Sequence, residues 1–472
     1  MFLAAPASAS PWAEVGDEQL RSDIEILATA NVIDDITTHW PLPWASIVSR
    51  LREHGAMSGE PDYVRAAAQR VLAVVQAQMR FDELQVGVEL DGTNAPSVVR
   101  SFDGLGRETA QGQIVAEYMT STTAIRIAAG AELHAHTNRV AFMPDGSYVA
   151  QKLGGSVVYA GYVTHWWGPG WISALSLSNN ARPMPQIGIE RDETSAFRTP
   201  WLSWLGPWQA EFMVGLLDDS RVATNTIFSG LRFTFNPLPG LEIGLSRTDE
   251  MCGTGHACNP LKYYFEFSNN PAHPNHTNDE GLIDVKYSSV IGGDPFELYM
   301  QLMNEDSNPI SHSITSHLFG ASVWLPLGEN PLRLTAEYTS SVPTIDIFSF
   351  GDVAHGSAYT NSGYADGMRY RGRTLGFSLD SDSTLLSVQG AWRDADGRSY
   401  EITFHHAAVS NPNNLLGNVV TTAPVHINIG EARVSFPLHG MHFDIAGRLQ
   451  DDQPRPFHGF QASIEASASV NL

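Results

Sequence analysis

The sequence predicts a mainly β protein: a transmembrane antiparallel β-barrel behind a small N-terminal α-helical bundle. Three observations lead there. Long segments alternate apolar and polar residues one by one, tight turns alternate with long polar loops, and the alternation runs to the final residue. Phe296, Leu298, Met300 and Leu302 face away from Glu297, Tyr299 and Gln301, and Leu332, Leu334, Ala336 and Tyr338 oppose Arg333, Thr335, Glu337 and Thr339. A period of two places successive side chains on opposite faces of a strand. The closing segment is the clearest, with Phe460, Ala462, Ile464, Ala466, Ala468, Val470 and Leu472 on one face.

Alternation also suits a soluble sandwich. Strand length favours the barrel, since ~9–11 residues cross a bilayer. Asp394-Ala395-Asp396-Gly397 is a tight turn and Ser268 to Asp279 a long polar loop, the asymmetry expected of outer-membrane barrels. From Phe81 onward roughly 390 residues, at roughly 20–24 per strand and connection, make roughly 16–18 strands. Composition agrees: only 17% of the 472 residues are charged, and mean hydropathy is −0.15. No run approaches the ~20 apolar residues of a membrane helix. A barrel averages an apolar outer face with a polar lumen.

Before Phe81 the period is helical. Leu20, Ile24 and Leu27 follow a possible Asp17 cap, Pro43 opens a segment through Ile47, Val48 and Leu51, and Pro61 opens one through Val64, Ala68, Val71, Leu72, Val75 and Met79. Proline fits a first helical turn, where its missing N–H has no partner to lose. Met1 to Ala9 ends in a small-residue Ala7-x-Ala9 pattern, the tail of a signal peptide. The expected organisation is therefore a signal remnant at 1–9, a helical bundle at 10–80 and a barrel at 81–472. The net charge of −23, from 51 acidic against 28 basic residues, argues against a nucleic-acid partner. Cys252 and Cys258 lie in a Gly-rich stretch and read as one small disulfide loop in an oxidising compartment. Free thiols and a metal site are the alternatives, and two ligands at this spacing make a poor zinc site.

One segment narrows class to family. Trp167-Gly168-Pro169-Gly170, followed by Leu175-Ser176-Leu177-Ser178-Asn179-Asn180-Ala181-Arg182-Pro183-Met184-Pro185, resembles the signature of the Wzi capsule-assembly proteins. Ser10-Pro11-Trp12, Trp40-Pro41-Leu42-Pro43-Trp44, Leu205-Gly206-Pro207-Trp208 and the Cys252 to Cys258 loop are similar to other landmarks of that family. The resemblance implies a barrel of about 18 strands in the outer membrane of a Gram-negative bacterium, with its helical bundle on the periplasmic side. It also implies a lectin-like, non-catalytic role: attaching exported capsular polysaccharide to the cell surface. The chain departs from expectation in its truncated signal and in ending on Leu472, where many outer-membrane barrels end in Phe.

A polysaccharide surface needs aromatic faces and polar groups. Arg369, Arg371 and Arg373 alternate, which puts three guanidinium groups on one strand face with Tyr370 opposite. Such groups suit carboxylates and phosphates. Their parity matches Leu375, Phe377 and Leu379, which read as lipid-facing, so a lipopolysaccharide contact or a solvated rim is the plainer reading. Trp166, Trp167 and Trp171 form one aromatic cluster and Trp201, Trp204 and Trp208 another; either stacks on sugar or belongs to an interfacial girdle or turn. Asn179, Asn180 and Arg182 read as a polar turn, which Asn favours, or as a family-specific contact. The expected partners are capsular or other extracellular polysaccharide and outer-membrane lipid and lipopolysaccharide.

Enzymatic motifs are thin: no Gly-x-Ser-x-Gly elbow and no His-Glu-x-x-His occurs. His273 and His276 with Asp279 have ligand-like spacing, and His134 and His136 share a strand face, but a solvated loop and a structural strand are the plainer readings. No cofactor or metal is expected. The alternative functions are a porin or solute channel, carried only by the polar strand faces, and an outer-membrane hydrolase.

Overall fold

The computed structural model describes residues 10–54, 57, 59–103, 106–134, 139–218, 220–264, 277–305, 314–347, 349–410 and 417–472. The expected signal remnant at 1–9, His136, His273 and His276 lie outside the described residues.

Nineteen paired segments close into one antiparallel barrel. Two of them, Val140–Met143 and Tyr148–Leu153, pair in turn with Thr123–Leu133 and act as one interrupted strand, so the wall has eighteen. The first barrel strand, Leu84–Thr93, pairs with the last, Gln461–Asn471, from Gly87 opposite Asn471 to Thr93 opposite Glu465. Closure leaves no edge with unpaired backbone groups, the condition for strands to cross lipid.

The predicted alternation holds around the wall, with its faces inverted relative to a water-soluble core. Leu90, Ile114, Ile127, Ile187, Leu298, Leu334, Val388, Ile402 and Ile464 are exposed on the outside. Their neighbours Glu117, Arg126, Glu190, Glu211, Glu297, Gln301, Arg333, Glu337, Gln389 and Glu465 are buried inside. Connections alternate as well. One end carries tight links such as 239–240, 292–293 and 439–440, with 192–207 as its long exception; the other carries 94–109, 162–185, 345–383 and their neighbours. At Asp394 to Arg398 the tight link is held by the Asp394 carboxylate, which accepts from the backbone of Asp396 and Arg398 at 2.9 Å each.

Three helices precede the wall: α1 (Glu18–Thr29), α2 (Trp44–His54) and α3 (Asp62–Gln78). Asp17 caps α1 by accepting from Leu20 N at 2.8 Å, which supplies one of the partners a helix start lacks. Helix α1 packs on α3 through Arg70 and Asp23 at 2.6 Å. It also meets the barrel wall at the short-connection end, where Trp324 donates to Ser22 at 2.8 Å. Two wall cations find their carboxylates on it: Arg333 with Glu18 and Lys286 with Glu25, both at 2.6 Å.

Breaking one partner out of a buried pair leaves an uncompensated charge and costs about 3–5 kcal/mol. Glu18→Ala is therefore expected to destabilise the barrel by about that much. The readout is a lower temperature for the gel-mobility transition of unboiled protein. An unchanged transition would mean that α1 does not support the wall.

Candidate functional site

Trp166-Trp167-Gly168-Pro169-Gly170-Trp171 does not lie at a membrane interface. All three tryptophans are fully buried inside the barrel. The segment enters the lumen because its backbone suits the polar wall. Gln301 donates to Trp167 O at 2.9 Å and accepts from Leu175 N at 2.8 Å, while Glu337 accepts from Trp171 N at 2.8 Å. Gly168 is required: its φ is +137°, and a Cβ there would stand 2.5 Å from the Gln301 amide. Arg21 of α1 donates to the carbonyls of Pro169 and Gly170 at 2.7 and 2.8 Å and lies over the Trp171 ring. Arg333 covers the same ring at 3.6 Å. Trp40, Phe102 and Trp166 continue the cluster edge to face.

Next to this plug a wall carboxylate joins two elements. Glu211 meets His39 Nε2 at 3.1 Å and His165 Nε2 at 2.9 Å, and it accepts from Tyr159 OH. Burial holds His39 below the ordinary imidazole range, against the pull of Glu211. A histidine whose folded value is lowered contributes stability above its unfolded value, and loses it as pH falls through that value near ~6.5. The protease resistance of residues 10–43 is therefore expected to decline below about pH 6.5, and His39→Gln is expected to flatten that decline. Identical pH profiles would remove His39 from the docking of this segment.

The arginine ladder is corrected by the structure. Arg369–Tyr370 and Arg373–Thr374 form a two-residue ribbon within the 345–383 loop, turned by Arg371 and Gly372, both at positive φ. Arg369 is buried and ion-paired with Asp380 at 2.8 Å. Only Arg371 is exposed, with Arg373 partly so. Leu375, Phe377 and Leu379 are buried rather than lipid-facing, because this loop folds into the lumen. There Ser178 N bonds to Leu375 O at 2.8 Å, and a Cβ on Gly376 would stand 2.2 Å from Leu175 O.

Asn179, Asn180 and Arg182 are buried too, so they do not form a solvated turn. The structure instead joins them to the other candidates. Asn180 donates to Thr374 O at 2.9 Å, Asn179 O accepts from Arg107 at 2.9 Å, and Arg107 O accepts from Arg373 at 2.7 Å. Arg182 pairs with Glu132 and Asp145 at 2.6 and 2.7 Å. The result is a polar, charge-rich mouth at the long-loop end. Arg107, Glu108 and Asp145 belong to it and were missed by sequence reasoning, because loop residues obey no period.

Trp201 and Trp204 are 72% and 62% exposed in the 192–207 connection, while Trp208 stacks on Phe197 at 4.3 Å. Cys252 and Cys258 are joined by a disulfide. Unreduced protein is accordingly expected to resist alkylation at both cysteines in intact-mass analysis, and two labelled thiols would contradict the bridge.

A cavity of about 560 Å³ lies between α1, α3 and the wall. Beside it the carboxylates of Glu18, Asp103 and Glu401 come within 4.8 Å of one another. Arg333 already pairs with Glu18 and Arg433 with Asp103, so two of the three carboxylates have cationic partners.

Comparison with known proteins agrees with this architecture. The family model described as capsule assembly protein Wzi matches residues 82–450. An uncharacterized 55.8 kDa protein in the cps region of Klebsiella pneumoniae is 26% identical over 316 residues, which span 65% of this chain and only 60% of that protein. A solved structure of Wzi from Escherichia coli matches with a TM-score of 0.83 at 20% identity, over 97% of this chain and 98% of that one. That protein is described as an outer membrane protein involved in group 1 capsule assembly and as a carbohydrate-binding β-barrel. OprD from Pseudomonas aeruginosa is more distant, with a TM-score of 0.45 at 10% identity over 83% of this chain and 94% of that one. The family match takes in most of the wall and the whole plug: this chain belongs to the Wzi family of capsule assembly proteins.

Proposed function

We propose that this protein is an outer-membrane lectin that holds exported capsular polysaccharide at the cell surface without altering it chemically. The observation that carries the reading is the filled barrel. Buried tryptophans, the 345–383 loop and the N-terminal segment occupy the lumen, which favours a binding surface at the long-loop mouth over a solute pathway. Family membership and the carbohydrate-binding relative point the same way. Lipid and lipopolysaccharide surround the apolar outer belt. Residues 10–80 form a helical unit on the periplasmic side, and residues 81–472 form the barrel. Of the sequence-derived candidates, Arg371 is exposed and Arg373 partly so, which supports a polymer contact at these two; Arg369, Tyr370, Trp166, Trp167, Trp171, Asn179, Asn180 and Arg182 are buried behind them.

Binding per sugar is weak, because each hydroxyl contact exchanges one hydrogen bond with water for another and nets ~0.5–1.5 kcal/mol. Retention then comes from many contacts along one polymer and many protein copies. Deleting the gene is expected to leave polymer synthesis intact and to move most of the cell-bound polymer into the medium. A normal cell-bound layer combined with lost uptake of a small solute, or stepwise conductance in a planar bilayer, would replace this reading with the channel.

A further inference from the structure

The acidic chain gathers an unusual density of guanidinium groups at one place. Arg107, Arg182 and Arg373 come from three separate loops at the long-loop end and share a small set of carboxylates. Asp145 serves both Arg182 at 2.7 Å and Arg107 at 3.7 Å. Glu108 stands 3.4 Å from both Arg373 and His134, and Glu132 pairs with Arg182 at 2.6 Å. Arg100 lies close enough to feel them: its guanidinium is pushed down to about 9, by burial first and then by the like charges of Arg373 and Arg107.

Exposure differs within the cluster. The side chains of Glu108, Asp145 and Glu132 are 14%, 13% and 3% exposed and those of Arg107 and Arg182 15% and 7%, against 31% for Arg373 and 37% for His134. Arg371 is exposed and forms no ion pair among the described residues. Its φ of +50° and that of +76° at Gly372 build a two-residue hairpin turn. Asp218 clamps that turn by accepting from Arg371 N at 2.8 Å. An arginine held at positive φ at the tip of a clamped turn is a conformation that the surrounding structure must impose. Arg371, Arg373 and His134 are thus the cationic groups of the mouth most open to water.

We infer that this mouth is an anion site, in which Arg371 and Arg373, backed by Arg107 and His134, bind the carboxylate of an acidic sugar in the exported polymer. The inference rests on the retention reading and adds the substrate class. Arginine pairs with planar carboxylates through two parallel hydrogen bonds. A neutral hydroxyl offers neither the charge nor that geometry. A lipopolysaccharide phosphate has related chemistry, but Arg107 and Arg373 are bonded to one another and to the plug segment inside the ring of loops, away from the lipid-facing wall.

The test uses full-length protein in detergent. The probes are an oligogalacturonate, the same oligomer with its carboxyls reduced to alcohols, and isolated lipopolysaccharide. Wild type is expected to bind the acidic oligomer at least ~tenfold more tightly than the reduced one, with affinity falling as salt rises. Arg371→Gln with Arg373→Gln is expected to bring the two oligomers within ~threefold of each other. Arg398→Gln, on an exposed turn at the opposite end, is expected to leave the preference intact. Arg371→Gln alone removes no ion pair among the described residues, so a partial loss of preference in that variant with an unchanged gel-mobility transition reads the anion contact rather than misfolding of the mouth. No binding of the acidic oligomer, or equal binding of both oligomers, overturns the inference. Saturable binding of lipopolysaccharide at these arginines without binding of the oligomer overturns it as well. The gene-deletion assay judges retention separately, so the two readings fail independently.

Discussion

The structure depends on how a membrane barrel satisfies its own interior. Strands that show leucine and isoleucine to lipid must turn their other side chains inward, and here those are carboxylates, amides and guanidiniums. Buried polar groups are costly unless paired. The chain pairs many of them with the backbone of segments enclosed by the barrel. Gln301 and Glu337 bind main-chain groups of Trp167, Trp171 and Leu175, and Glu242 accepts from the backbone of Thr37 and Thr38. Arg232 reaches both Asp284 and Thr38. The N-terminal segment, the plug and the large loop are thus the solvent of this lumen.

This arrangement explains a composition that looks contradictory for a membrane protein. Acidic residues outnumber basic ones by 23, yet the wall tolerates them where luminal carboxylates such as Glu242 and Glu337 accept from backbone N–H groups of the enclosed segments. Tryptophan fills the remaining volume, and cations lie over its rings: Arg21 and Arg333 take the two sides of one binding problem at Trp171. The loops above the plug are left with charges that are crowded and partly open to water.

Much of the wall was legible before any coordinates. A strand imposes its period of two on every residue, so Leu334 and Tyr338 outside and Arg333 and Glu337 inside could be read directly. The helix starts at Asp17 and Pro61 were equally plain, because capping is local. The mouth was not. Arg369, Arg371 and Arg373 have strand parity by coincidence, and what places them is a turn at Arg371 and Gly372 together with contacts to segments some 150 to 270 positions away. Trp166 and Trp201 carry the same side chain, yet one is enclosed and the other faces out. Only the fold of the intervening loops decides that, and loops write no periodic pattern into the sequence.

The seam between Leu84–Thr93 and Gln461–Asn471 bears on how the molecule comes into being. The wall's two ends of sequence meet there, so the cylinder stays open until the last strand is in register. Trp12 rests on Tyr148 and Tyr159, and the ribbon at His39–Trp40 is bonded to Trp166–Trp167, all inside that cylinder. Contents of this bulk cannot be threaded through a finished ring. The wall has to be wrapped around its cargo, which makes the segment from Trp12 to Trp40 a template for assembly as well as a part of the product.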